Sequence, residues 1–210
     1  MVRYVGDARW SGRRGPALAG EYEDGACAGV SVLAMSRTSD DLAAGEWAVL
    51  AVLAERPAHG FAVARAMAPD GEIGKVWSLR RPLVYRAIHV LCDAGLARPT
   101  GTVASGSGPR RTVLEVTPAG RAALRRWLWN PVDHVRDARS LLLLKLLFIT
   151  RSGRDPRQLL SGQRGRFEAL AERLTAAAGT AEGFDAVLVR WRLESTTAAI
   201  RFLDGLLLGA

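Results

Sequence analysis

Cysteine is scarce in this chain. Cys27 and Cys92 are the only two, and they lie far apart, so neither a disulfide scaffold nor a CxxC metal site is available. His59, His89 and His134 are the only histidines and show no metal-ligand spacing. Long apolar runs are missing too. The longest, from Leu141 to Ile149, is interrupted by Lys145 and falls short of the ~18–20 residues of a membrane helix. Arg3, Arg9, Arg13 and Arg14 are not followed by the apolar stretch of a signal peptide, so a cytoplasmic location and no membrane partner are expected. A Gly-rich phosphate loop, GxSxG, HExxH and a usefully spaced carboxylate pair are all lacking. No enzymatic activity and no cofactor are therefore expected.

Lysine is nearly absent as well. Lys75 and Lys145 are the only two among 29 Lys+Arg, set against 21 Asp+Glu, for a net charge of +8. Arginine presents a planar fork of donors that matches phosphate oxygens, so nucleic acid is the first partner to consider. A GC-rich genome inflates Arg, Gly and Ala together and offers a plainer explanation. That explanation predicts an even spread. Residues 1–42 instead carry −1, residues 43–130 carry +6 and residues 131–210 carry +3. The excess sits in the middle third.

These three spans also differ in pattern. Residues 1–42 are punctuated by glycine and keep no apolar period, which predicts a disordered tail; Met35 is a plausible true start. From Gly45, Trp47, Leu50, Ala51 and Ala54 form one helical stripe that ends before Pro57. A short second helix fits Phe61 to Ala68, with Phe61, Ala64 and Met67 inward. The third is the informative one. Pro82 suits its first position with Arg81 as N-cap, Gly95 suits a left-handed C-terminal cap, and Val84, Ala87, Ile88 and Leu91 make a buried stripe. Its opposite face carries Arg86 and His89, with Tyr85 on the flank and Arg80 and Arg81 at the entrance.

Leu96 to Val103 and Arg110 to Val116 then read as a β-hairpin around the small, polar stretch 104–109. Arg110 and Arg111 stand at its return, where the plain alternative is a cross-strand pair with Glu115. Thr117-Pro118 supplies an N-cap and first residue for a following helix bearing Leu124, Trp127 and Leu128. Three short helices followed by a basic hairpin make a winged helix-turn-helix, whose third helix enters the ~12 Å major groove with the hairpin beside it.

The order of these motifs resembles the PadR family of bacterial transcriptional regulators. The matching residues are His59-Gly60-Phe61, Leu83-Val84-Tyr85-Arg86-Ala87-Ile88, Leu91, Ala94-Gly95-Leu96, Gly108-Pro109-Arg110-Arg111 and Thr117-Pro118-Ala119-Gly120-Arg121, over roughly 45–130. Val113-Leu114 depart from the aromatic residues usual in the second wing strand, and Asp70 to Trp77 exceeds a minimal turn. MarR-type proteins share the wing but place dimer helices on both sides of it, unlike the glycine-rich segment here. The resemblance implies that Tyr85 and Arg86 approach DNA from the recognition helix and Arg110 and Arg111 from the wing. The residues themselves add Arg80, Arg81 and His89. His59 reads as a helix-start residue.

Beyond residue 130, Ala138 to Thr150 is apolar on nearly every side, which predicts cover by a partner subunit. Asp155-Pro156 opens a helix with Leu160, Phe167, Leu170 and Leu174 along one side. A last helix spans about Phe184 to Leu208, with Val187, Leu188, Trp191, Ala198, Phe202 and Leu206 expected inward. The expected fold is mainly α with a small β-hairpin: a winged helix-turn-helix domain over 43–130 and a C-terminal α-helical dimerisation domain over 131–210. The expected function is a homodimeric, sequence-specific regulator of transcription, a repressor, on a palindromic double-stranded operator. Trp127, Trp129, Trp191 and Phe202 are candidates to line a pocket for a small aromatic effector that releases DNA. The competing reading is a winged-helix adaptor without specific DNA binding.

Overall fold

A computed structural model describes residues 42–105 and 108–209. The tail expected over 1–42 lies outside these residues save for Leu42, which is buried in the core. The described chain is mostly helical with one three-stranded antiparallel sheet.

Helix α1 (Ala44–Glu55) is buried on every side from Glu46 to Leu53, not along one stripe as its spacing predicts. It lies under α3, α4 and β3 together, which leaves it no solvent face. Strand β1 (Ala58–His59) adds to the outer edge of the wing, pairing Ala58 with Leu114 and His59 with Val113. The expected hairpin is thus a sheet of order β1-β3-β2. Helix α2 (Gly60–Ala66) is capped by His59, whose Nδ1 accepts from the Ala62 amide at 3.0 Å.

The stretch between α2 and α3 folds into consecutive turns, pinned by the Leu79 amide donating to the Met67 carbonyl and plugged by the buried side chain of Ile73. Helix α3 (Arg81–Asp93) begins one residue earlier than its proline suggests: Arg80 is the N-cap and Pro82 the second helical residue, which equally needs no amide. Its end is a Schellman motif. Gly95 takes φ +67°, and the Leu96 amide reaches the Leu91 carbonyl while the Gly95 amide reaches that of Cys92.

Strands β2 (Ala97–Ser105) and β3 (Gly108–Val116) run further toward the tip than expected, with register irregularities between Pro99 and Gly101 and between Val103 and Ser105. Thr117 caps α4 (Pro118–Trp129) by accepting from the Gly120 amide, and its hydroxyl also donates to the Gly95 carbonyl at 2.7 Å. One threonine therefore joins the end of α3 to the start of α4. Gly120 is required there, because a Cβ would run into the Leu96 carbonyl oxygen. Gly120→Ala gains about 1 kcal/mol of helix propensity. It meets about 1–3 kcal/mol of overpacking against backbone that cannot move aside. A net loss on the order of 1 kcal/mol is expected in urea unfolding; an unchanged or raised midpoint would contradict the close approach.

The second half starts at a fastened junction. Gln163 is fully buried; its Oε1 accepts from the Val132 amide at 2.7 Å and its Nε2 donates to the Val132 carbonyl at 2.9 Å. Lys145, also buried, donates to the Asn130 carbonyl at 2.5 Å and lies 4.9 Å from the Trp127 ring centre. A 3₁₀ turn (Val135–Asp137) and a π-helical turn (Ala138–Leu142) lead into α5 (Leu143–Arg151). Leu142, Leu144, Phe148 and Ile149 are buried within the chain itself, while Leu141, Leu143, Leu146 and Leu147 are half-buried.

Helices α6 (Arg157–Ala178) and α7 (Gly183–Gly209) form a long antiparallel hairpin. Phe167 of α6 is fully buried as expected. On α7 the expectation is reversed. The residues buried there are Thr196 and Leu203, whereas Val187, Trp191, Phe202 and Leu206 are exposed. Their apolar face is real, but it lies off the side on which Thr196 and Leu203 are buried, and at Trp191 it borders a cleft between α6 and α7. Among the described residues, no helix is long and apolar enough to cross a membrane, and no cluster of three metal-ligating side chains occurs.

Candidate nucleic-acid interface

The start of α3 and the return strand of the wing meet at one aromatic ring. Phe61, expected inward, is 41% exposed. The Arg81 guanidinium lies 5.3 Å from its centre, and that of Arg111 lies 5.0 Å away. Arg81 also stands 5.7 Å from the Tyr85 ring. A cation over an aromatic face is attracted to the ring's quadrupole and keeps its charge available to a further anion. Phe61 thus holds an arginine of the helix and one of the strand side by side.

Tyr85 is half-buried and lies across Gly60, where any Cβ would meet its ring. That contact sets how closely α2 and α3 cross. Arg80, Arg81, Arg86, His89 and Arg110 are exposed, and Arg111 is half-buried. The pairing with Glu115 considered for the wing arginines is made instead by Arg98, its register partner, at 2.6 Å. None of Arg80, Arg81, Arg86, Arg110 and Arg111 forms an ion pair with a described carboxylate. With the positive end of the α3 dipole among them, these unneutralised cations make a surface suited to anionic oxygens.

Phe61 is the residue that sequence reasoning misplaced. Its signal was present: Gly60, Val63, Ala64 and Met67 already complete the inward stripe of so short a helix, which turns Phe61 outward.

The four aromatic residues proposed for an effector pocket are not gathered into one site. Trp127 stacks on Trp47 with ring centres 5.1 Å apart. Trp129 is half-buried and Phe202 lies on the exposed face of α7. Trp191 alone of the four lines an open cleft of 1420 Å³ between the 131–139 segment, α6 and α7, together with Leu188, Arg139, Arg173 and Arg192.

Three short helices, an edge strand and a basic hairpin in this order define a winged helix-turn-helix. Within that class, residues 49–126 match the model of the Transcriptional regulator PadR-like family. The chain is 31% identical over 96 residues to the Mycobacterium tuberculosis protein described as "Probable transcriptional regulator Rv1176c". That match covers 46% of this chain and 49% of the relative, so the chain spans about half the length of the curated relative it matches. Among solved structures it is similar to Bacillus subtilis PadR in complex with operator DNA, with TM-score 0.40 and 21% identity, covering 77% of this chain and 97% of that one. It is also similar to smu.1604c from Streptococcus mutans UA159, with TM-score 0.38 and 16% identity, covering 78% and 98% respectively.

Proposed function

We propose that the chain is a homodimeric, sequence-specific DNA-binding regulator that represses transcription by occupying a palindromic operator. The observation that carries this reading is the joining of α3 and the wing through Phe61, which aligns Arg81 and Arg111 beside Tyr85 on one face. Helix α3 enters the major groove. Arg86 and His89 face base edges, Arg80 and Arg81 lie on phosphates at its entrance, and Arg110 and Arg111 bring the wing onto the adjacent backbone. Two copies match a two-fold operator and double every contact.

The apolar face of α7 supports the dimer, since a run containing Phe184 at 77%, Trp191 at 71% and Phe202 at 46% exposure is costly to leave in water. An effector would enter the cleft beside Trp191 and release DNA by changing the separation of the two recognition helices. The adaptor reading is disfavoured by the unpaired state of Arg86, Arg110 and Arg111, which an adaptor has no need to keep.

Genomic fragments, beginning with this gene's own promoter, are incubated with the purified chain and the bound DNA is sequenced. Enrichment of a palindromic element supports the proposal, and no enrichment at low salt overturns it. On the recovered element, Arg86→Ala is expected to cost about 1–3 kcal/mol of binding and to relax preference at one position per half-site. Unchanged affinity would remove Arg86 from the interface. Light scattering of the purified chain tests the dimer, and a monomer at all concentrations would end that part of the proposal.

A further inference from the structure

The cleft beside Trp191 has an aliphatic bed. Gly162, Ala169, Leu170 and Leu174 of α6 line it, and Leu188 and Ala199 of α7. Leu170, Leu174, Leu188 and Ala199 are half-buried, so each still offers apolar surface to an occupant. On α6 the lining runs from Gly162 to Leu174, about 18 Å of helix at ~1.5 Å per residue. The bed is therefore elongated, and the 1420 Å³ of the cleft exceeds the ~300–1,000 Å³ of an ordinary small-molecule pocket.

The charge around this bed is of one sign. Arg136, Arg139, Arg166, Arg173 and Arg192 all line the cleft. Asp133 is the one carboxylate among the lining residues, and Arg166 already holds it in an ion pair. Arg139, Arg173 and Arg192 form no ion pair with a described carboxylate, and Arg136 approaches Asp137 only at 3.9 Å. Like charges gathered around one recess repel, and an anion that joins them relieves the repulsion. A guanidinium fork matches a carboxylate through two parallel hydrogen bonds.

The lining also selects what carries the anion. Trp191 is the one Trp, Phe or Tyr among the lining residues, so a flat ring finds a stacking partner on one face at most. A single-ring acid would leave most of the bed empty. An acyl chain follows it, because aliphatic carbon packs on Leu and Ala without directional demands and every further buried methylene adds to binding.

We propose that this cleft binds an acyl-chain monocarboxylate, its chain along the bed of α6 and α7 and its carboxylate on the rim guanidiniums. This rests on the effector reading given above and names the ligand class of that cleft. Pro131 and Asp133 line the cleft on either side of Val132, whose backbone is held by Gln163 of α6. A ligand in the cleft thus touches the junction at which α6 is fastened to the chain leaving the winged domain.

Radiolabelled laurate, below its micellar concentration, is dialysed to equilibrium against the delipidated full-length chain. Saturable binding is expected. Dodecanol, which keeps the chain and lacks the charge, and benzoate, which keeps the charge and lacks the chain, are each expected to compete at least 10-fold more weakly. Arg173→Gln combined with Arg192→Gln is expected to weaken laurate at least 10-fold and to leave dodecanol unchanged, a split that a merely unfolded variant would not give. Arg154→Gln, outside the cleft, is expected to bind laurate as the wild type does. Absence of saturable binding, equal affinity for laurate and dodecanol, or full laurate affinity in the double variant would each overturn the proposal. Laurate that binds as expected yet leaves operator affinity unchanged would support the ligand class and overturn the release of DNA proposed above.

Discussion

Arg81→Ala combined with Arg111→Ala is expected to remove specific DNA binding while leaving the fold in place. The two side chains come from separate elements, the first residue of α3 and the middle of β3, and share the Phe61 ring. Losing the three cation–π contacts, two to Phe61 and one to Tyr85, costs the fold about 1–3 kcal/mol, since exposed pairs are worth about 0.5–1 kcal/mol each. The effect on binding is larger. An arginine at a DNA interface carries about 1–3 kcal/mol, and a dimer loses four guanidiniums at once. If all four lie on phosphates, the slope of log affinity against log salt flattens by about 3–4, at roughly 0.9 per neutralised phosphate. Titration of the recovered operator at several salt concentrations gives both quantities, and circular dichroism establishes that the variant is folded. A folded double variant with wild-type affinity and slope would place the interface elsewhere.

The second large effect concerns Lys145 and runs against habit. Its ammonium is buried at the junction of the two halves, and burial pushes its pKa down to about 8 from an ordinary value of 10.5; Asp133 and Asp137 offset part of this, while Arg166 adds to it. A base whose folded pKa lies below its unfolded value binds fewer protons when folded. Stability therefore rises with pH across that interval. Below about pH 8 the folded chain carries a charged amine in a poorly solvated place and bears the full cost. Between about 8 and 10.5 that cost disappears, for a gain on the order of 3 kcal/mol. The neutral amine still donates to the Asn130 carbonyl. Urea unfolding at pH 7, 8, 9 and 10 is expected to show this rise in the wild type, and Lys145→Met is expected to lack it. Equal pH slopes in the two proteins would mean that the amine is well hydrated after all.

Local chemistry was the most legible part of this sequence. Thr117-Pro118 and Gly95 each dictate one backbone conformation at one place, and the structure has α4 start and α3 end there. The shift of the α3 N-cap from Arg81 to Arg80 is small because a proline fits either of the first two helical positions equally well.

What periodicity could not say is what covers an apolar face. Trp191 and Phe202 lie on a true stripe, yet α6 packs on Thr196 and Leu203 instead, since a stripe defines a direction and not a neighbour. The reverse holds for α5, whose leucines looked too numerous for one chain to cover and are largely enclosed by it. The tryptophan pocket failed for a related reason. Aromatic residues scattered along a sequence carry no information on their mutual distance, and Trp127 found Trp47 instead. Phe61 shows how a position at the candidate interface hides: a large hydrophobic residue next to a helix start invites burial, and only the completed inward stripe of α2 turns it out.

Arg151 gives the molecule a rigid brace. From the end of α5 its guanidinium grips Glu55, where α1 finishes, at 2.6 and 2.8 Å, and Glu72, in the turns before α3, at 2.7 Å. The bond to Arg151 lowers the pKa of the Glu72 carboxyl below its ordinary value. Helix α5 is therefore clamped to the winged domain at two points, in addition to the contacts at residues 130–132, and a twist imposed on the helices beyond it would be passed to that domain as by a lever instead of being absorbed at a hinge.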